Sequence, residues 1–262
     1  MRERSGFSAS PASPRLALRG REGRVELWTQ TVGAPPPVYG ERWVEAAGTT
    51  LRAFEPGRSK LAAALGRGWV GPLPLPRERW LYLGAASGTT VSHVADLLGP
   101  TGRVYAVERS VRPFARLLRV AERWPNLLPI LGDAREPEAY ADRVPLVDGI
   151  YADVAQPDQV ALVRANASLF LRDVGGAVVL ALKTSSMGRG TGAGEHLRSA
   201  EGELGRDLEL APAVRLDPFY RTHYLVGGRR PGPAPAKPGR TTAVRPPRRS
   251  GRFGRGFHRL RR

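Results

Sequence analysis

Three acidic residues stand at equivalent places in the chain, each at the end of a short apolar run. Glu108 ends RVYAVE, Asp133 ends LLPILGD and Asp153 follows GIYA. The carboxyl ends of parallel strands meet at one edge of a sheet, which is where open α/β sheets bind ligands. An acid at the end of a second strand is typical of a group that accepts hydrogen bonds from ribose hydroxyls. A single acid of this kind could be a helix cap, but three in succession indicate a ligand site.

A run of small residues, 84–88 (GAASG), follows the first strand of this pattern and precedes the helix that begins TTVSHV. Small side chains at such a turn allow a ligand to approach the main chain and the amino end of the next helix. The run is not GxGxxG, so a pyrophosphate is not specifically indicated. The alternative is a tight turn without a ligand.

Lysine is rare in this chain, since Lys60, Lys183 and Lys237 stand against 38 arginines. Lys183 ends the apolar run AVVLALK, where an isolated ammonium would be costly, so we expect a neighbouring carboxylate such as Asp153. The alternative for Lys183 is a structural ion pair. Lys60 has no partner that the sequence can assign, so on its own it could be a solvated charge. His223 opens the last strand, and on its own it could be a structural histidine.

Several classes of site are excluded. The chain has no cysteine, which rules out disulfides, thiolate catalysis and cysteine metal sites. It shows no metal-ligand spacing, nucleophile elbow or P-loop, so no metal is expected. No apolar run reaches the roughly 18 residues of a membrane span, and the first residues do not form a secretory signal. We therefore expect a soluble protein of the cytoplasm.

The elements that must position these residues alternate from residue 80 onward, where the run WLYLG begins. Strand and helix patterns succeed one another and two strands close the series, LELAPAVRL and HYLVGG. This order predicts an α/β fold with a seven-stranded, mostly parallel sheet, an antiparallel edge and helices on both faces. Short alternating runs with Gly and Pro breaks predict a small β-rich N-terminal domain over residues 21–58. Residues 1–20 are predicted to be disordered, 59–228 to form the main domain, and 59–68 to form a helix capped by Ser59.

The net charge of +17 is concentrated at the carboxyl end. Residues 229–262 hold 12 basic and no acidic residues, which leaves residues 1–228 with 29 basic and 24 acidic residues, a net +5. The Pro, Gly and Arg content of this segment predicts a disordered tail. Its cations and interleaved Phe residues suit non-specific RNA binding, and the alternative is a solubilising tail.

Four segments together resemble the fibrillarin family: YLGAASGTTVSHVADLLGPTGRVYAVE, GDAR, ADVAQPDQ and LALK. The resemblance covers about residues 25–228. It implies a Rossmann-like methyltransferase domain that uses S-adenosylmethionine (SAM) behind a small β-rich domain. The implied activity is methylation of ribose 2′-hydroxyls in rRNA, with tRNA as a candidate second substrate, by the catalytic subunit of a box C/D ribonucleoprotein. The implied partners are a guide RNA, its target RNA, a Nop-domain scaffold protein and a kink-turn-binding protein of ribosomal type.

The resemblance also implies which residues form the site. The SAM-binding residues are expected to be Ala85, Thr89, Thr90, Glu108, Arg109, Asp133, Ala134, Asp153, Val154, Ala155 and Gln156. The catalytic residues are expected to be Lys60, Asp153, Lys183 and His223. This chain departs from the family at Arg109, where an aromatic residue is common, and at Thr222, where an Asp commonly precedes the histidine.

Two other functions remain open at this stage. One is a SAM-dependent methyltransferase that acts on a protein glutamine. The other is a non-catalytic subunit that keeps the fold and binds RNA through the tail. Methyl transfer to a guided target RNA would distinguish all three.

Overall fold

The computed structural model describes residues 6–21, 23–33, 37–46, 48–188 and 192–232. The strands are β1 (Phe7–Ser10), β2 (Ser13–Arg21), β3 (Arg24–Gln30), β4 (Trp43–Ala46), β5 (Thr49–Ala53), β6 (Arg79–Leu83), β7 (Arg103–Glu108), β8 (Leu127–Leu131), β9 (Gly149–Ala152), β10 (Ala177–Lys183), β11 (Glu209–Leu210), β12 (Val214–Arg215) and β13 (His223–Arg229). The α-helices are α1 (Lys60–Gly66), α2 (Thr89–Leu98), α3 (Val111–Ala121), α4 (Gln159–Phe170) and α5 (Ala193–Leu204). Short 3-10 helices cover Pro137–Tyr140 and Thr184–Ser186.

The larger sheet confirms the predicted α/β architecture. Its strand order is β11-β13-β10-β9-β6-β7-β8, with β13 antiparallel to β10 and the strands from β10 to β8 parallel. The segment LELAPAVRL, predicted as one strand, forms β11 and β12, which pair with β13 at two separate places. Pro212 lies between them and has no N–H to continue a ladder, so the edge strand is interrupted.

Side chains alternate between the two faces of this sheet, as a period of two requires. Trp80 and Tyr82 of β6 join an apolar cluster with α1, α2, α3 and the N-terminal region. Leu81 and Leu83 of the same strand join a second cluster with α4 and α5. Helices therefore cover both faces, and the carboxyl ends of the strands stay at one open edge.

The smaller, N-terminal sheet has the order β1-β2-β3-β5-β4 and is antiparallel throughout. The β-rich prediction is thus right in kind, but the prediction that residues 1–20 are disordered is wrong for 7–20. Those residues form β1 and most of β2, because Leu16 is buried and β2 pairs with β3 from Leu16 to Arg21. The N-terminal sheet starts at Phe7 rather than at residue 21. Residues 1–5 lie outside the described part.

A fully buried set of polar side chains joins this sheet to α2. Arg52 on β5 donates to Glu41 Oε1 and to Asp96 Oδ2, both at 2.7 Å. The Thr29 hydroxyl donates to Asp96 Oδ2 at 3.0 Å and lies 2.7 Å from His93 Nδ1. Burial lowers the pKa of His93 well below its ordinary value, so its ring is neutral. Because these groups satisfy one another, they hold α2 against the N-terminal sheet.

The first two residues of the predicted tail, Arg229 and Arg230, lie in folded structure. Arg229 is the last residue of β13, and Arg230 donates to the carbonyl groups of Ala167, Leu171 and Arg172. Both arginines therefore belong to the folded part, since their side chains satisfy carbonyl oxygens at the ends of neighbouring elements. The prediction of a disordered tail over the remaining segment concerns mainly residues 233–262, which lie outside the described part. No helix among the described residues is long and apolar enough to span a membrane.

Candidate active site

A cleft of about 200 Å³ opens at the carboxyl ends of β6, β7, β8 and β9. It lies where the acidic residues at the strand ends predicted a ligand site. Most of the residues expected to bind the cofactor line it. The lining comprises Gly84, Ala86, Val107, Glu108, Arg109, Ser110, Gly132, Asp133, Ala134, Asp153, Val154, Ala155, Gln156 and Leu162.

Gly84 brings the first loop close to the loop that follows β9. Its φ is +81°, and a Cβ atom at this position would lie 2.5 Å from the Asp153 carbonyl oxygen. Only glycine meets both conditions, because a side chain would be strained and would clash with main chain. The small residues of the turn thus determine how closely the two loops approach each other at the cleft.

Two main-chain amides hold the Glu108 carboxylate in place. Ala86 N–H donates to Oε2 at 2.9 Å and Ser110 N–H donates to Oε1 at 2.7 Å. The residue is 7% exposed and lines the cleft. Each carboxylate oxygen can accept more than one hydrogen bond, so the fixed carboxylate can still accept bonds from a pair of ligand hydroxyls.

Arg109 and Asp133 lie together at the outer end of the cleft. Arg109 Nη1 is 3.4 Å from Asp133 Oδ2, and the Arg135 amide donates to Asp133 Oδ1 at 3.0 Å. Arg135 also donates to Gln156 Oε1 at 3.0 Å and forms an ion pair with Asp158. Arg109 and Arg135 therefore orient the carboxylate of Asp133, and Arg135 also orients the side-chain amide of Gln156.

Three of the residues expected at the cofactor, Ala85, Thr89 and Thr90, are not among the lining residues. Ala85 is 4% exposed. Thr89 begins α2, and the Thr90 hydroxyl donates to Ser59 Oγ at 3.2 Å. Ser59 is the N-cap of α1, as its sequence position predicted, and accepts from Ala62 N–H at 3.4 Å. Thr90 in this structure thus fixes the helix that carries Lys60.

Lys60 forms the ion pair of this site. Its Nζ atom lies 2.8 Å from Asp153 Oδ2, with side chains that are 19% and 21% exposed. The ammonium also lies 5.1 Å from the centre of the Tyr220 ring, within the range of a cation–π contact. The sequence suggested Lys183 as the partner of Asp153, and this was wrong in detail. Within the described ranges no carboxylate lies within 4.0 Å of Lys183 Nζ, and the partner of Asp153 is Lys60 on α1.

Lys183 stands at the end of β10, where the buried side chain of Gln159 bonds to its main chain. Lys183 N–H donates to Gln159 Oε1 at 2.8 Å, and Gln159 Nε2 donates to the Lys183 carbonyl at 3.1 Å. On the other side, Lys183 is the cross-strand neighbour of His223. The backbone of Lys183 is therefore held from both sides.

His223 is neutral at physiological pH in this site. Burial and the positive charges of Lys60 and Lys183 lower its pKa to about 4, although Asp153 acts in the opposite direction. Its Nδ1 atom is buried without a hydrogen-bond partner among the described residues. The charges that act on this imidazole indicate that all four residues expected to be catalytic lie in one neighbourhood.

Two residues of this site were not among the expected site residues, although one of them, Gln159, closes the segment ADVAQPDQ that carries the resemblance. Gln159 is the first residue of α4, and its contact with Lys183 depends on how that helix packs against β10. Tyr220 lies in the loop before β13, and burial together with the Asp153 charge raises its pKa to about 12. Neither contact could be read from spacing, because both join segments far apart in the chain.

The arrangement has two chemical parts. In the cleft, the fixed carboxylate of Glu108 can accept hydrogen bonds from ligand hydroxyl groups, and Gly84 lets a ligand come close to the main chain. Beside it, Asp153 lines the cleft and also contacts Lys60, so it lies between the ligand cleft and the cluster with Lys183 and His223. A group bound in the cleft would thus meet a hydroxyl held by a carboxylate and two ammonium groups. This suits the transfer of a group to an oxygen nucleophile that must lose its proton.

Comparison with known proteins finds a family model and relatives that carry the name fibrillarin. The family model described as Fibrillarin matches residues 16–231. A protein of Aeropyrum pernix named "Fibrillarin-like rRNA/tRNA 2′-O-methyltransferase" is 44% identical over 207 residues, which is 78% of this chain and 88% of the relative.

Two solved structures share the fold. The crystal structure of Aeropyrum pernix fibrillarin with natively bound S-adenosyl-L-methionine has a TM-score of 0.76 and 39% identity, covering 87% of this chain and 100% of that chain. The crystal structure of a fibrillarin/Nop5p complex has a TM-score of 0.71 and 38% identity, covering 78% of this chain and 94% of that chain.

Proposed function

The chain belongs to the fibrillarin family, and from this premise we propose that it is a SAM-dependent RNA ribose 2′-O-methyltransferase that acts on rRNA. The proposal includes a role as the catalytic subunit of a guide-RNA-directed box C/D ribonucleoprotein, with tRNA as a possible second substrate. The observation that carries it is the Lys60–Asp153 ion pair at 2.8 Å, beside Lys183 and His223 at the end of the cleft.

The cleft fits SAM. Glu108 supplies a carboxylate, fixed by two amides, for the ribose hydroxyls. Asp133 lines the same cleft and would accept from the adenine amine. Gly84 leaves the main chain open beside Asp153, Val154 and Ala155, which would flank the methionine part. When bound, SAM supplies a methyl group that an oxygen nucleophile can attack.

The other residues act on the ribose. Asp153 accepts a hydrogen bond from the 2′-hydroxyl, and its contact with Lys60 fixes the direction of the carboxylate. As an ammonium, Lys183 would donate to the same oxygen and stabilise the negative charge that develops there. It can accept the hydroxyl proton only after it has lost one of its own, a change that an arginine does not undergo. His223 stays neutral and keeps its polar ring in the site without adding charge. These roles orient the nucleophile and help to remove its proton.

The proposed partners follow from relatives and from charge. The fibrillarin/Nop5p structure supports a Nop-domain scaffold as partner. Residues 1–228 carry only +5, which is a small charge for a protein that must hold structured RNA alone. We therefore include the guide RNA, the target RNA and a kink-turn-binding protein in the proposal. We also propose the cytoplasm as its location.

Guided methylation by the assembled particle tests the function. The particle should transfer a methyl group from SAM to the 2′-oxygen of one target nucleotide. Asp153→Asn should lose most of this activity, and SAM affinity is measured separately because Asp153 also lines the cleft. Asp207→Asn is the matched control, since Asp207 pairs with Arg164 at 3.1 Å on the exposed surface. Methyl transfer to a protein glutamine alone, or no transfer with retained RNA binding, would support the two alternatives instead.

A further inference from the structure

We propose that two loops beside the active site bind a nucleotide of the target RNA, with Phe219 stacking on its base and Arg58 and Arg221 contacting phosphates. The loops are residues 55–58 and 217–222. The inference rests on the proposed function and specifies how that site holds its substrate.

Phe219 is an exposed aromatic ring next to the reactive groups. It is 49% exposed, whereas the adjacent Tyr220 packs under the Lys60 ammonium. Phe219 Cδ1 lies 3.8 Å from the position that a Cβ atom of Gly57 would take, so the two loops meet at this ring. A nucleotide that approaches the active site would therefore find an exposed apolar ring beside the reactive groups.

The charges around the ring favour a polyanion. Arg58 and Arg221 are exposed, and no ion pair of either residue occurs in the part of the chain that the structure describes. Arg58 lies 5.4 Å above the Tyr39 ring, and its positive charge also acts on Tyr220. Asp217 is already paired with Arg215. Half-buried Glu55 is the remaining acid of the two loops, so the exposed charges without an ion pair in the described part of these loops are the two arginines.

An aromatic ring between cations is the combination that binds single-stranded nucleic acid. Bases stack on the ring through faces that all four bases share, and phosphates contact the cations, so binding tolerates any sequence. A guided enzyme needs this tolerance at the target nucleotide, because base pairing with the guide selects the site. The position of Phe219, one residue from Tyr220, brings the bound base near the Lys60–Asp153 pair.

Phe219 also borders an apolar groove of about 810 Å³ between the N-terminal sheet and α1. A protein segment in that groove could cover the same ring. The exposed arginines and the continuity with the Lys60–Asp153 pair favour RNA, and the protein alternative becomes an outcome of the test.

The experiment uses the full-length protein in the assembled particle and a target RNA with 2-aminopurine next to the methylated nucleotide. Phe219→Ala should weaken target binding roughly 5- to 150-fold and reduce the fluorescence quenching by stacking, while SAM affinity stays unchanged. Phe219→Tyr should retain both properties. Leu146→Ala is the control, because Leu146 is 64% exposed and lies before β9, at the opposite edge of the sheet.

A second arm tests the arginines. Arg58→Ser and Arg221→Ser should each lower the slope of log affinity against log salt by about 0.7, as expected for one phosphate contact. Arg206→Ser, an exposed residue that precedes β11, should not change the slope.

Unchanged target affinity and quenching in Phe219→Ala would overturn the inference while guided methylation by the wild type still stands. Weaker scaffold binding with unchanged RNA affinity would overturn it as well and assign Phe219 to a protein contact. Absence of guided methylation in the wild-type particle would instead contradict the proposed function.

Discussion

The buried side-chain amide of Gln159 bonds to both main-chain polar groups of Lys183, with distances of 2.8 and 3.1 Å. The last pair between β9 and β10 is Ala152 with Leu180, so β10 continues to Lys183 without a strand on that side. Gln159 replaces the missing strand partner, because its side-chain amide offers both an acceptor and an N–H donor, as a peptide group does. The end of β10 is thereby held beside His223.

We expect Gln159→Leu to lower the single-turnover methylation rate about 10- to 100-fold, since a displaced catalytic group loses its alignment. In a Lys183→Met background, adding Gln159→Leu should lower the methylation rate little further, because the ammonium group that Gln159 positions is already absent. Asn126→Leu is the matched control: Asn126 is also buried and donates to two main-chain carbonyls, of Ala95 and Gly99, away from the cleft. It should lower stability but not the rate.

Lys183→Arg should abolish most methyl transfer while the protein still folds and binds SAM. Arginine keeps the charge, but its planar head is larger and does not give up its proton. A positioned acid–base group contributes roughly 10²- to 10⁴-fold, which sets the expected loss. The measurement is single-turnover methylation in the particle, with SAM affinity determined by calorimetry. Near-normal turnover would remove Lys183 from the catalytic set and leave Asp153 as its strongest member.

The lowered pKa of His223 predicts that the free energy of unfolding depends on pH. Its pKa is lowered from 6.5 to about 4 in the folded chain, so the unfolded chain binds a proton first as the pH falls. The free energy of unfolding should therefore decrease between about pH 6.5 and 4, and His223→Asn should reduce that dependence by up to one proton. Denaturant titrations at several pH values measure this. An identical pH dependence in the variant would contradict a neutral, partly buried imidazole.

Arg52→Met should destabilise the fold by about 3–5 kcal/mol, because it leaves Glu41 and Asp96 as buried carboxylates without their cation. Arg42→Met is the control, since Arg42 contacts Glu26 at 2.8 Å with a side chain that is 47% exposed. That pair should contribute at most about 1 kcal/mol. Urea unfolding compares the two, and equal losses would show that the buried charges do not depend on Arg52.

The sequence by itself determined the order of strands and helices and the acids at the strand ends. Alternating apolar runs predicted the parallel sheet, and Glu108, Asp133 and Asp153 all line the cleft that this sheet leaves open. These features could be predicted because they depend on local periodicity and on the rule that parallel strands share one carboxyl edge.

Only the tertiary structure decided which side chains meet. The partner of Asp153 is Lys60 rather than Lys183, because α1 packs beside the open edge. Contacts between distant segments were needed to identify the roles of Gln159, Tyr220 and the buried Arg52 cluster. The sequence predicted disorder for residues 7–20, yet these residues form strands because β3 supplies hydrogen bonds and Leu16 is buried. Spacing along a chain fixes local elements, whereas ion pairs and strand partners depend on packing that a single sequence does not encode locally.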